Sequence, residues 1–421
     1  MSGLTISQKI LAAHSGNKEV APGQIIEAEV DLLMMNDLGT PIAIDQFEQI
    51  GIGRVFDPAK VVLIPDHSVP NKDVRAAEQT RRVREFARAH GIRFFELGEM
   101  GIEHALLAEQ GFVYPGMLFL GGDSHTCTAG ALGCFAAGIG STDGAAVLAT
   151  GRLWLRVPET MRVTFRGTPG RWVTGKDLIL HTLARIGDEG ARYRSIEFGG
   201  EALASLSMDD RFSITNMASE AGAKTAIMEP DEATLEYLEG RVTLPYAVVR
   251  SDPDASFVEQ LELDVGKLEP QVAVPFSPSN SRDVSAVGTV AIDQAVIGSC
   301  TNGRITDLRI AASILRSRKV HRGVRLIIIP ATQTIYLQAL REGLIEVFIQ
   351  AGGVVSTPTC GPCLGGHMGI LASGEKAIAT TNRNFRGRMG AVDSEVYLSN
   401  PAVAAASAVL GRIGSPEEIV S

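Results

Sequence analysis

Thr357-Pro358-Thr359-Cys360-Gly361-Pro362-Cys363-Leu364-Gly365-Gly366 is the stretch on which the reading of this chain turns, together with a third thiol in Gly298-Ser299-Cys300-Thr301-Asn302. Thiolates two residues apart can grip one metal centre from a single tight turn, and Gly361-Pro362 supplies that turn without intruding side chains. Three thiolates form an incomplete coordination set. An iron–sulfur cube held by Cys300, Cys360 and Cys363 alone leaves one iron without a protein ligand, able to take a substrate oxygen as a Lewis acid. Zinc held by the same sulfurs and His367 satisfies tetrahedral geometry equally well. A thioredoxin-type redox pair at Cys360 and Cys363 leaves Cys300 without a use, and buried cysteines acting as small hydrophobes complete the alternatives.

Outward from these thiols, the sequence repeats one arrangement: a short apolar run that ends abruptly in reactive side chains. Val61-Val62-Leu63-Ile64 stops at Pro65-Asp66-His67, and Met117-Leu118-Phe119-Leu120 stops at Gly121-Gly122-Asp123-Ser124-His125-Thr126. Ala291 to Ile297 leads to Cys300, Val324 to Ile329 to Pro330-Ala331-Thr332, Val354-Val355 to Cys360, and Ala377 to Ala379 to Thr381-Asn382-Arg383-Asn384. Runs apolar on both faces fit parallel strands covered by helices, so the fold class is α/β. In open α/β sheets, ligands sit outside the carboxyl ends of the strands, and the pattern predicts that these termini share one crevice.

Between the strands, helices are expected from Thr5 to Ala13, from Val74 to His90 with Gly91 as the stop, and near Ala145 to Trp154. The Arg-rich run Arg75 to Arg88 reads as the wet face of the second of these, with Val83, Phe86 and Ala87 turned inward. The glycines from Gly130 to Gly144 miss the dinucleotide fingerprint and point to close packing. Gly170-Arg171-Trp172-Val173-Thr174-Gly175-Lys176-Asp177 nearly spells a phosphate loop, but Asp177 replaces the magnesium-binding hydroxyl; Thr174 reads better as a helix cap. Asn216 and Glu220 fall one helical turn apart on a shared face. Pro- and Ser-rich residues 267–287 read as a linker. The expected domains are 1–157, 158–280 and 281–421.

A chain of 421 residues, 45% of them apolar, fills two or three cores. Its net charge of −9 repels polyanions on average and argues against a nucleic-acid partner. Five cysteines without framework spacing fit a reducing compartment, and no apolar segment approaches the ~20 residues of a membrane span. With no signal peptide in Met1 to Leu11, the expected location is cytoplasmic.

Asp66-His67, Gly122-Asp123-Ser124-His125-Thr126, Asn216-Met217-Ala218-Ser219-Glu220, the Cys300 segment, Cys360-Gly361-Pro362-Cys363-Leu364-Gly365 and Asn382-Arg383-Asn384-Phe385-x-Gly387-Arg388 occur together and in this order. In these pieces the chain resembles the large subunits of the aconitase superfamily, and within it the isopropylmalate dehydratase branch. The resemblance implies three α/β/α domains around a 4Fe-4S cluster held by Cys300, Cys360 and Cys363, without the mobile fourth (swivel) domain, which in this branch is a separate small subunit carrying a serine base and substrate-binding arginines. It implies a hydro-lyase acting on a small 2-hydroxy di- or tricarboxylate, in leucine biosynthesis for this branch, with homoaconitase, dimethylmalate dehydratase and maleate or citraconate hydratase as relatives. A sensor holding zinc or a cluster is the non-enzymatic counterpart.

By the same resemblance His67, oriented by Asp66, is the acid that protonates the departing oxygen; His104 pairs with Asp123 and His125 with Glu220. Ser124 helps to position, Asn216, Asn302 and Asn382 surround the cluster, and Arg383 and Arg388 hold substrate carboxylates. Gly101-Ile102-Glu103-His104 departs from the Cys-His form of many isopropylmalate enzymes. Cys127 and Cys134 read as packing residues, and His14, His90, His181 and His321 carry no role.

Overall fold

The computed structural model describes residues 3–420. Its first sheet is parallel throughout, in the spatial order Arg93–Phe94, Val61–Ile64, Leu32–Asn36, Leu118–Gly121, Phe135–Gly138. Successive side chains of a strand point to opposite faces, and Val61–Ile64 is buried on both. Val61 and Leu63 join a core with Phe47 and Phe86 from two covering helices. Val62 and Ile64 join another with Leu106 and Phe212. The helix Val74–His90 begins where Asp73 accepts the Ala76 amide and ends at Gly91, whose φ of 69° is left-handed. It buries Val83, Phe86 and Ala87 as its spacing requires.

The helix expected to run to Trp154 stops earlier. It spans Ser141–Thr150, and Gly151 turns the chain at φ 70°, where a Cβ would sit 2.5 Å from the Phe56 ring. Arg152–Arg156 then becomes a strand antiparallel to Ile25–Glu29, with Leu155 inward and Trp154 outward. A period of two, hidden in a short segment, overrode the helical reading. Close packing does explain the upstream glycines: a Cβ on Gly130 would lie 1.6 Å from the Ala226 carbonyl oxygen.

A second parallel sheet has the order Thr225–Met228, Ser195–Gly199, Thr160–Arg166, Glu259–Asp264. Beside it Asp177 Oδ2 accepts the Thr174 amide at 2.7 Å and its hydroxyl at 3.0 Å, fixing the start of the helix Gly175–Ile186. The third sheet runs Ser281–Asp283, Gln271–Ala273, Glu395–Ser399, Lys376–Ala379, Gln294–Ile297, Arg325–Ile328, Val354–Val355, the last five parallel. Its first two strands are antiparallel and come from residues 267–287, read above as a linker. Three residues per strand are too few to show a pattern, yet they pair backbone groups along the edge of the Glu395–Ser399 strand. No helix among the described residues is long and apolar enough to cross a membrane.

Candidate active site

Sheets one and three each change winding direction at an inner strand, Leu32–Asn36 and Gln294–Ile297. Loops leaving the strands on either side of such a point diverge and open a crevice. At the first, the loops carry Asp37, Asp66-His67 and Asp123 to His125. At the second, they carry Cys300 and Asn382-Arg383, with Cys360 beyond the edge strand Val354–Val355. The two sets meet: the Cys360 amide donates to the Asp66 carbonyl at 2.8 Å, and Thr359 Oγ1 donates to the same oxygen at 3.0 Å.

His67 Nδ1 is hydrogen-bonded to Asp66 Oδ1 at 2.6 Å. Asp66 Oδ2 accepts the Glu103 amide, and Asp37 accepts the amides of Asp66, His67 and Ser68. Burial alone would lower the proton affinity of the imidazole, but the Asp66 carboxylate more than reverses this, with Glu103 and Asp37 adding to it; the His67 pKa stands well above 6.5. His67 is thus a proton donor in waiting.

Asp123 lies between two histidines. Its Oδ1 meets His104 Nε2 at 2.9 Å and His125 Nδ1 at 3.2 Å. Although burial works against it, these hydrogen bonds hold the Asp123 carboxyl well below its usual range. On its far side His125 Nε2 meets Glu220 Oε1 at 2.8 Å. Burial and Arg383 pull His125 down, yet Asp123 and Glu220 push it up to about 10, so this ring stays cationic at neutral pH. Glu220 also accepts from Arg383 Nε at 2.8 Å, while Arg383 Nη2 donates to Ser124 Oγ at 2.9 Å.

The three thiols are buried and unoxidised. Asn216 Nδ2 donates to Cys300 Sγ at 3.2 Å and Asn382 Nδ2 donates to it at 3.1 Å. Arg388 Nη2 approaches Cys363 Sγ at 3.8 Å. Cys360 as a hydrogen-bond partner, opposed by burial and helped by the Arg388 charge, lowers the Cys363 thiol to about 6. Cys300 is lowered as well, again through Cys360, which keeps the proton and is raised. This is a thiolate pocket with amide donors aimed at sulfur. Such hydrogen bonds suit an iron–sulfur cluster. Among the described residues, two other groups bring three donor atoms within 4.8 Å of one another: Asp37, Asp66, His67 and Glu103, His104, Asp123.

The expected residues converge with one exception. Asn302 turns its amide to Asp307 Oδ1 at 2.9 Å and Ser213 Oγ at 3.3 Å, while its Oδ1 accepts from Lys176 Nζ at 3.4 Å. Asn216 and Glu220 both reach the site, although the helix Met208–Met217 gives way to a tighter turn, Ala218–Ala221, between them. Cys127 and Cys134 point at main-chain oxygens of Asn216 and Ala129. Four residues escaped the sequence reading. Asp37 follows an apolar run and had a signal; Glu103 stood in a segment noted only for its departure. Lys176 and Arg304, both buried, had none, because each sits in an ordinary first helical turn or cap.

A family model described as the aconitase family (aconitate hydratase) matches residues 8–411, and the chain belongs to that family. Within it, the chain is similar over its whole length to proteins named 3-isopropylmalate dehydratase large subunit. The one from Acetivibrio thermocellus is 59% identical over 418 residues, covering 99% of this chain and 100% of that protein. Those from Moorella thermoacetica and Caldicellulosiruptor saccharolyticus are 59% and 60% identical, covering 99% of this chain and 100% and 97% of theirs. Among solved structures, holo aconitase X of Thermococcus kodakaraensis shares the fold, with a TM-score of 0.53 at 14% identity over 92% of each chain.

Proposed function

We propose that this chain is the large, cluster-bearing subunit of a hydro-lyase that isomerises 2-isopropylmalate to 3-isopropylmalate, in leucine biosynthesis and in the cytoplasm. The observation that carries the reading is the meeting of a three-thiol pocket with the Asp66–His67 pair through one main-chain carbonyl. Full-length similarity near 59% to large subunits of that name supports the substrate.

Cys300, Cys360 and Cys363 would hold a 4Fe-4S cluster. When bound, it supplies a Lewis-acidic iron without a protein ligand, which makes hydroxide a better leaving group. His67, kept protonated by Asp66, gives its proton to the departing hydroxyl oxygen. His125, fixed as a cation between Asp123 and Glu220, gives the crevice positive charge facing a dicarboxylate, and Asp123 holds His104 in place beside it. Arg383 and Arg388 orient the substrate carboxylates, Arg383 exchanging part of its contact with Glu220 for the substrate. The base that removes the carbon-bound proton comes from a small subunit. Water then returns to the neighbouring carbon and completes the exchange of hydroxyl and hydrogen.

The test is co-purification of the chain with its small subunit without oxygen, followed by assay on 2-isopropylmalate, homocitrate, dimethylmalate and maleate. Turnover of 2-isopropylmalate well above the others is expected. Preference for another acid would overturn the substrate, and a colourless protein holding one zinc per chain would overturn the cofactor.

A further inference from the structure

Lys176 occupies a place where an ammonium group is costly. Its side chain is fully buried, at 0% exposure, and a buried charge needs a partner of opposite sign. Its hydrogen-bond partners are neutral oxygens: the Thr380 carbonyl at 2.8 Å, the Thr381 carbonyl at 2.6 Å and Asn302 Oδ1 at 3.4 Å. Asp177, next in sequence, is engaged elsewhere by Thr174, the Gln271 amide and Asn400 Nδ2. Asp307 lies beyond Asn302, and burial together with Asp209 pushes its carboxyl up to about 8, leaving it mostly uncharged at neutral pH. A second buried cation, Arg304, donates to the carbonyls of Cys300 at 2.9 Å and Thr301 at 3.2 Å. Two cations therefore back the loops that carry Cys300 and the Asn382 amide bound to its sulfur; Arg304 has Asp209 Oδ1 at 3.9 Å, whereas Lys176 has no carboxylate among its hydrogen-bond partners.

We propose that Lys176 is the buried counter-charge of the cluster, held beneath the Cys300 and Asn382 loops so that its ammonium offsets the negative charge of the three thiolates and sets how easily the cluster is oxidised. This rests on the cluster reading above. It assigns a task to a lysine that makes no contact with the crevice residues His67, His125 or Arg383. A lysine that only tied the helix Gly175–Ile186 to the third sheet would stabilise the chain equally with and without the cluster. A counter-charge would not: without the anion it is a burden, and with it an asset.

The experiment uses the full chain, purified without oxygen and reconstituted with iron and sulfide, as wild type, Lys176→Met and Lys176→Gln. Thermal melting of empty and loaded forms is measured, along with the midpoint of the cluster's one-electron oxidation. For Lys176→Met, the empty form is expected to melt no lower than empty wild type, while the gain on loading shrinks. Oxidation becomes at least tenfold more favourable, a fall of about 59 mV for one electron. Lys176→Gln keeps an amide donor towards the two carbonyls without the charge, and should shift the midpoint in the same direction; it decides the matter if Lys176→Met does not fold. Equal loss of melting temperature in both forms with an unmoved midpoint overturns the proposal alone. A wild-type chain that takes up no iron and sulfide overturns it together with the reading it rests on.

Discussion

The main-chain carbonyl of Asp66 accepts the amide of Cys360 at 2.8 Å. One residue thus fixes the His67 imidazole with its side chain and the thiol loop with its backbone. Placement of His67 against the cysteine pocket does not depend on long, flexible side chains. A backbone anchor also survives substitution of the side chain, which lets the two roles be separated by mutation.

Replacing His67 with Asn removes the proposed proton donor and leaves that anchor in place. Turnover of the two-subunit enzyme should fall by about 10²-fold or more, with iron and sulfide content unchanged. Asp66→Asn should give a smaller loss and a lowered His67 pKa, since the carboxylate is the largest influence raising it. An unchanged rate in His67→Asn would remove this residue from the mechanism.

Cys363→Ser should abolish stable cluster binding, because the thiolate already lowered to about 6 by its surroundings is replaced by a hydroxyl that stays protonated. Iron and sulfide analysis with visible absorption reads the result. Full cluster content in the variant would contradict the ligand assignment.

Glu220→Gln leaves the His125 and Arg383 cations facing each other with one carboxylate fewer. Arg383 already lowers His125, and Glu220 is one of the two partners that raise it. The His125 pKa should therefore drop from about 10, visible as a ring-proton titration by NMR, and KM should rise as Arg383 loses its alignment. A His125 titration unaffected by the change would show that Asp123 alone holds it.

His14 and Asp31 form a stabilising pair away from the site, Nε2 to Oδ2 at 2.6 Å. Burial opposes charge on both, but the mutual hydrogen bond raises His14 above 6.5 and lowers Asp31 below 3.8. A raised histidine contributes fully below its unfolded pKa of about 6.5 and fades as pH climbs through its folded value; a lowered aspartate contributes above about 3.9 and fades as pH falls. The melting-temperature difference between wild type and His14→Gln should thus be greatest between about pH 4 and pH 6.5 and shrink on either side. A difference that grew above that window would be incompatible with this pair.

The strands and their reactive ends were legible in the sequence because doubly buried parallel strands leave an unbroken apolar run, and a polar side chain straight after it stands out. The helix Val74–His90 was legible for the same kind of reason, with seventeen residues of regular spacing and caps at both ends. The short pieces were not. Gln271–Ala273 and Ser281–Asp283 are each three residues long, and their pairing is decided by the neighbouring strand rather than by their own pattern. Arg152–Arg156 was hidden for a similar reason, since a glycine turn and two alternations mark it off from the helix before it.

By itself the sequence determined the α/β class, the three cysteines and most of the acids, histidines, amides and arginines around them, since chemistry-bearing residues at strand ends are a local pattern. Only the tertiary structure decided that Asp66 binds the Cys360 amide, that Asn302 faces Asp307 and Lys176 instead of sulfur, and that Asp37 and Glu103 surround the His67 pair. These are contacts between loops far apart in the chain, and burial, which turns a common lysine into a costly charge, is a property of the packed molecule and of no single segment.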